Sequence, residues 1–297
     1  LKNRIAIFAN PIAGRGKGKT LANQLQRDLI AAGYEVELFF DRPSDLSHAS
    51  SSEPKEAAIS IGGDGTLRSV VNYYFANRID GPPVLPVPMG TANLMGRHLG
   101  IQWQQREIIP SVLASIRRRK VVQLDAGLAN GRIFLLMAGV GVDAQIVHLL
   151  DQMRSGPIDM TSYLLPAAMT FARYSFPAIT VSVDGQFVLQ EKPAIAMISN
   201  VKEYGIGFPI LPNAVPDDGL LDLCLMPCQD RRQLIEILVH IAAGEHITRD
   251  DVINLRGKSI NIDAKQPVPV QVDGDSAGFT PLKIELLPGR IPFIVPV

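Results

Sequence analysis

A chain of 297 residues is longer than one small module needs, and single cores stop growing near ~250–300 residues, so two domains are expected. Apolar residues make up 46% and charged residues 20%, which supplies a large core and excludes a disordered chain. Lys plus Arg total 29 and Asp plus Glu total 29, so net charge is zero; no nucleic-acid partner is expected, while a small anionic ligand stays open because local charge binds it.

Cys224 and Cys228 form neither a disulfide framework nor a zinc site, and a reducing, cytoplasmic setting is the simpler reading. The five histidines, His240 and His246 among them, show no ligand-like spacing. The start, Leu1-Lys2-Asn3-Arg4, runs straight into a strand pattern with no signal peptide, and its lack of Met suggests a trimmed start. The longest apolar stretch, residues 133–150, is broken by Asp143, Gln145 and His148, so no membrane span is expected.

In chain order, Arg4-Ile5-Ala6-Ile7-Phe8-Ala9 reads as a buried strand, followed by a Gly-rich loop and a helix to about Ala32, stopped by Gly33. Residues 34–40 read as a second strand and residues 57–61 as a third, ending in Gly62-Gly63-Asp64-Gly65-Thr66 before a helix carrying Leu67, Val70, Val71, Tyr74 and Phe75. Residues 84–87 form a fourth strand that ends in Met89-Gly90-Thr91. This alternation predicts an α/β domain with a parallel sheet over residues 1–124.

From Asp125 strand-like runs dominate, at 134–139, 179–183, 194–199, 220–225, 260–262, 268–272 and 282–286, with helices near 158–176 and 231–243. They predict a mainly antiparallel β-sandwich over residues 125–286, with the tail at about 287–297 free to return to the first domain. The basic run Arg117-Arg118-Arg119-Lys120 at the junction reads as a solvated helix end, with contact to anionic lipid as the alternative.

Ligands of open parallel sheets sit beyond the carboxyl ends of the strands. Three such ends carry glycine and polar residues: Asn10-Pro11-Ile12-Ala13-Gly14-Arg15-Gly16, Gly62-Gly63-Asp64-Gly65-Thr66 and Gly90-Thr91-Ala92-Asn93. Glycine lets backbone N–H groups approach phosphate, and the helices that follow add their positive N-termini, so the three loops together suggest a nucleotide polyphosphate. Ala13, Gly18, Lys19 and Thr20 also fit a relaxed P-loop, which would put Lys19 on phosphate and Thr20 on Mg²⁺ but leaves the other two loops unexplained.

These motifs, with Val272-Asp273-Gly274-Asp275, resemble in order the diacylglycerol kinase catalytic family, and most closely its bacterial lipid kinases. Ala138-Gly-Val-Gly-Val-Asp-Ala144, Asn200 with Tyr204-Gly-Ile-Gly207, and Asp217-Asp-Gly-Leu-Leu-Asp222 extend the likeness over nearly the whole chain. The resemblance implies transfer of phosphate from ATP, with Mg²⁺, to a lipid hydroxyl, and hence peripheral contact with the inner face of a membrane; a homodimer is left open. It assigns Asn10, Pro11, Ile12, Ala13, Gly14, Gly62, Gly63, Asp64, Gly65, Thr66, Leu67, Arg68, Gly90, Thr91 and Asn93 to the nucleotide, with Asp64 organising Mg²⁺ and Arg15 and Arg97 as phosphate clamps. Asp275 stands where the family has its general-base Glu, with Asp273 in support. A structural Mg²⁺ site would use the Asp218 side chain and the carbonyls of Val215 and Leu220. An acceptor pocket would lie in the second half; Phe171, Tyr174, Phe176 and Phe208 are candidates to line it, with core packing the favoured reading of all four.

Val181-Ser-Val-Asp-Gly185 has the same spacing as Val270-Gln-Val-Asp-Gly274, and both read as a strand entering a hairpin turn, so Asp275 is what sets the second apart. Arg68, Ser69, Leu94 and Asp275 depart from the family pattern. They keep two alternatives in view: an NAD-kinase-like enzyme with a soluble substrate, and a nucleotide- or lipid-binding regulator with weakened catalysis. Net zero charge is itself a sum: the first 125 residues hold 16 basic and 11 acidic groups, the rest 13 and 18.

Overall fold

The computed structural model describes residues 3–41, 55–75, 81–153, 160–204 and 209–296. Phe208 and the Gly205-Ile206-Gly207 stretch lie outside them. The chain divides into two compact units, residues 1–124 with 289–297, and residues 125–288.

The first unit opens with β1 (Arg4–Ala9), the turn α1 (Ala13–Gly16), α2 (Gly18–Ala31), β2 (Glu35–Phe39), β3 (Ala57–Gly62), α3 (Asp64–Phe75), β4 (Val84–Pro88), α4 (Leu94–His98) and α5 (Ile108–Arg118). β1 pairs in parallel with β2 and β3, β3 with β4, and β4 with Phe293 of the final strand. Every residue of β3 is buried, as are Ile5, Ala6, Ile7, Phe8 and Ala9. Strands covered on both faces are the reason these runs are apolar without alternation. α2 buries Gly18, Ala22, Leu25 and Leu29, one stripe at helical spacing, and Gly33 ends it at φ 92°.

The second unit holds β5 (Val121–Ala129, begun in the first), β6 (Arg132–Phe134), β7 (Met137–Val140), α6 (Val142–Met153), α7 (Leu164–Arg173), β8 (Ala178–Val183) and β9 (Gln186–Ser199). It continues through β10 (Leu221–Pro227), α8 (Arg231–Ala243), β11 (Ile253–Gly257), β12 (Ser259–Asp263), β13 (Pro269–Val272), β14 (Asp275–Phe279) and β15 (Leu282–Ile294). One antiparallel sheet runs β14-β13-β7-β9-β10-β11. A second is formed as β9, β8, β12 and β15 pair in turn. β9 serves both: residues 186–193 pair with β8, and residues 194–199 pair with β7 and β10. Alternating residues such as Val181, Ile198, Leu223, Ile260, Val270 and Ile284 fill one shared core.

Two local readings change. The run expected as one strand over 134–139 is two strands, because Leu135, Leu136 and Met137 turn their N–H groups onto the Asp273 carboxylate instead of a neighbouring strand. The latter part of the longest apolar stretch, from Val142, enters a helix, α6, which runs on to Met153 and buries Ala144, Val147, His148 and Leu150. Cys224 and Cys228 are free and buried, and burial pushes their thiols up to about 12 and about 11.

Candidate active site

In the first unit the three strand-end loops lock together through backbone contacts. Gly14 donates its N–H to the Met89 carbonyl at 2.9 Å, and Met89 donates to the Gly62 carbonyl at 2.8 Å. A Cβ on Gly90 would lie 2.6 Å from the Gly63 Cα, so glycine is required for the second and third loops to meet. Gly14 and Arg15 both adopt left-handed backbone, with φ 60° and 59°. Asn10 turns back on its own loop, its Oδ1 accepting the Ile12 N–H at 3.1 Å.

Asp64 ties the second loop to α4. Its two carboxylate oxygens accept the N–H groups of Leu94 (3.0 Å) and Met95 (3.1 Å), the donors a short helix leaves without internal partners. Burial raises the Asp64 pKa, and these backbone bonds work against that rise. Expected to organise Mg²⁺, Asp64 here spends both oxygens on the first turn of α4. Asn93, at φ 51°, closes the third loop by bonding Gly90 through both amide atoms at 2.8 Å.

Of the other assigned residues, Pro11 and Thr66 are half-buried and Ala13 is buried. Ile12, Arg15, Gly65, Gly90, Thr91 and Arg97 are exposed, while Leu67 and Arg68 are each 3% exposed and sit on the buried side of α3. Arg97 and Asn93 line a cavity of about 200 Å³ with Pro88, Ala92, Ile101, Gln102, Trp103 and Ile108. Lys19, the P-loop candidate, places its ammonium over the Phe40 ring at 5.8 Å from the centroid.

In the second unit Asp273 and Gly274 occupy a two-residue turn with φ 48° and 78°, as Asp184 and Gly185 do with 48° and 82°. The parallel extends to the side chains. Asp184 Oδ1 accepts the N–H groups of Lys258 (2.9 Å) and Ser259 (2.8 Å). Asp273 accepts those of Leu135 (3.0 Å), Leu136 (2.9 Å) and Met137 (2.9 Å). Asp273 is therefore a backbone clamp. Asp275, two residues on, has a side chain 47% exposed, with Arg132 Nη2 3.8 Å from its Oδ2.

The expected structural Mg²⁺ site does not fit this arrangement. Asp218 Oδ1 accepts the Leu220 N–H at 3.1 Å, and its Oδ2 pairs with Arg256, whose Nε also lies 3.4 Å from Asp222. The Arg256 guanidinium thus already balances Asp218, the one side chain that the expected cation would have used. Among the described residues, no three His, Cys, Asp or Glu side chains cluster as a metal site.

Sequence reasoning quoted Asp143 within the 138–144 segment and gave it no role. Its Oδ2 accepts Gln271 Nε2 at 3.2 Å, and its Oδ1 is buried without a partner. Burial pushes its pKa up to about 6. The Gly-x-Gly-x-Asp pattern at 139–143 was the available signal: a Cβ on Gly139 would collide with the Asp143 carboxylate.

Comparison with known proteins accounts for both units. Residues 4–129 match the diacylglycerol kinase catalytic domain, and residues 137–295 match the YegS C-terminal NAD kinase beta sandwich-like domain. The chain is 26% identical to a diacylglycerol kinase of Staphylococcus carnosus, over 95% of this chain and 91% of that protein. It is 25% identical to one of Bacillus subtilis, over 99% and 96%. A solved diacylglycerol kinase structure from Bacillus anthracis shares the fold, with TM-score 0.68 and 24% identity over 99% of this chain and 97% of that one. With a catalytic domain, a sandwich domain and full-length relatives in agreement, this chain belongs to the diacylglycerol kinase family and is a kinase that phosphorylates an alcohol group.

Proposed function

We infer that the chain transfers the γ-phosphoryl group of ATP to the hydroxyl of a membrane lipid, diacylglycerol or a relative of it. The observation that carries the donor side is the Gly63–Gly90 backbone contact with its Asp64 clamp, which gathers two strand-end loops where a polyphosphate needs close backbone approach. The exposed Arg15 and Arg97 supply guanidinium groups for phosphate oxygens. Asp64 acts by holding the third loop in place. Mg²⁺, arriving with ATP, would neutralise charge on the transferring phosphoryl group.

On the acceptor side Asp275 is the general base. Its half-exposed carboxylate takes the hydroxyl proton, while Arg132 orients it and Asp273 fixes the turn that carries it. A lipid acceptor is supported by apolar side chains left in solvent. Leu164 and Leu165 of α7 are 69% and 56% exposed, and α8 shows Ile235, Leu238 and Val239 on one stripe. Arg231 joins the two helices by donating to the carbonyls of Phe171 (2.9 Å) and Ala172 (2.6 Å). Among the described residues no helix is long and apolar enough to cross a membrane, so peripheral docking of this face is the proposed route to the lipid.

The test is incubation with labelled ATP, Mg²⁺ and a bacterial lipid extract, with mass spectrometry of the product. A phosphorylated lipid that disappears in Asp275→Asn supports the reading. Labelling of soluble alcohols alone would overturn its lipid part.

A further inference from the structure

Gln271 is fully buried on β13, between Val270 and Val272. The two valines belong to the core between the sheets, so strand alternation turns Gln271 to the opposite face, and α6 packs on β13. A long amide is costly to bury unless it is bonded, and here both ends are used. Nε2 donates to Asp143 Oδ2 at 3.2 Å, and Oε1 accepts the Gly274 N–H at 3.0 Å. The Gly274 N–H can only donate, which fixes the way round that the amide sits. Gly139, opposite Gln271 on β7, leaves the space: a Cβ there would lie 2.8 Å from Gln271 Nε2 and collide with the Asp143 carboxylate.

The other Val-x-Val-Asp-Gly hairpin shows what this side chain adds. At Asp184 and Gly185 the turn has the same backbone, and its aspartate clamps the N–H groups of Lys258 and Ser259. The counterpart of Gln271 there is Ser182, half-buried beside a cavity of about 840 Å³. Serine carries one atom beyond Cβ, too short to reach a helix and a turn at once. The aspartate clamp is therefore common to both hairpins, while the Gln271 strut belongs to the one that carries Asp275. Across the β13–β14 pairing Gln271 faces Ser276 and Val272 faces Asp275, and the strut meets the chain one residue before Asp275.

Resting on the reading of Asp275 as the base, we propose that Gln271 is a positioning residue that braces the Asp273–Gly274 turn against α6 and so sets where the Asp275 carboxylate meets the reacting hydroxyl. Asp273 holds the turn from the side of Leu135, Leu136 and Met137, and Gln271 holds it from the side of Asp143. A turn held on one side can pivot; held on both, it carries the next residue to a fixed place. Misplacing a reacting group by about 1 Å costs about 10²-fold in rate. Gln271 itself touches no reacting atom, so its removal acts on turnover rather than on substrate affinity.

The experiment measures kcat, and KM for ATP and for dioleoylglycerol in mixed micelles, at a temperature where circular dichroism shows each variant folded. Gln271→Met keeps the length and removes both bonds, and Gln271→Asn keeps the amide on a shorter arm. Each is expected to lower kcat about tenfold or more, with both KM values within about twofold of wild type. Ser182→Val, the matching change in the other hairpin, should leave kcat unchanged. In an Asp275→Asn background, which has no base left to aim, Gln271→Met should cost no more than about a further twofold. Unchanged kcat in both Gln271 variants, while Asp275→Asn collapses, overturns the strut alone. A loss that multiplies in full in the double variant also overturns it, as does a loss confined to the acceptor KM, which would put Gln271 on substrate binding. Full turnover in Asp275→Asn overturns base and strut together. If dioleoylglycerol does not react, glycerol takes its place, and the same pattern there keeps the strut and drops the lipid reading.

Discussion

Asp64 and Leu94, thirty residues apart, are joined by a carboxylate oxygen that accepts the Leu94 N–H at 3.0 Å. With the Met95 bond beside it, this contact holds the third strand-end loop against the second. Asp64→Ala is expected to abolish phosphoryl transfer and to cost about 1 kcal/mol of stability, the usual loss for a helix cap. Asp64→Asn, which keeps an accepting oxygen, should lose less of both. Equal effects of the two variants on Tm would argue against the capping role.

Gly90→Ala puts a methyl group 2.6 Å from the Gly63 Cα and 2.9 Å from Asn93 Oδ1. Backbone cannot yield as a flexible side chain does, so the loops must part and nucleotide affinity should drop at least tenfold by calorimetry. Gly65→Ala is the control, because nothing lies within 4 Å of its added Cβ and no positive φ is required. Parallel losses in the two variants would show that the loop contact is not what matters.

Asp273 and Asp275 should separate cleanly. Asp273→Asn removes an acceptor from a carboxylate that serves three N–H groups, and destabilisation of about 1–3 kcal/mol is expected in denaturant unfolding. Asp275→Asn affects a half-exposed side chain and should leave stability within about 0.5 kcal/mol while turnover collapses. Full turnover in Asp275→Asn would remove it as the base.

The Asp143 carboxyl has its pKa raised from 3.8 to about 6 in the folded protein. Between those values the folded state keeps a proton that the unfolded chain has released. Stability therefore falls as pH rises through this window, by up to roughly 3 kcal/mol, and the cost is complete above about pH 6. Asp143→Asn should raise Tm at pH 8 and lose that advantage by about pH 4. A constant difference across the range would place the shift elsewhere.

Arg256 is paired with Asp218, the side chain expected to hold a structural cation, and lies within 3.4 Å of the buried Asp222. Chelator treatment should leave Tm unchanged. Arg256→Met should lower stability by about 1–2 kcal/mol, since two carboxylates lose their counter-charge, and added Mg²⁺ should recover part of it. A fall in wild-type Tm on chelation would restore the metal site.

Much of the fold was legible because each signal was local. Fully apolar runs such as Ala57-Ala58-Ile59-Ser60-Ile61 indicate strands covered on both faces, and Gly33 marks a helix end. The two Val-x-Val-Asp-Gly hairpins were readable because a two-residue turn of this kind needs residues tolerant of positive φ. The break between β6 and β7 was not readable, since its cause is Asp273, over 130 residues away.

By itself, then, the sequence determined the two-part architecture, the three glycine loops and the family, because composition, periodicity and motif order are properties of neighbouring residues. Only the tertiary structure decided what each acidic group does. Asp64 and Asp273 spend their oxygens on distant backbone N–H groups, Asp218 on Arg256, and Asp143 keeps one oxygen buried and unpaired. A carboxylate's role depends on which donors, charges and apolar walls the fold brings to it.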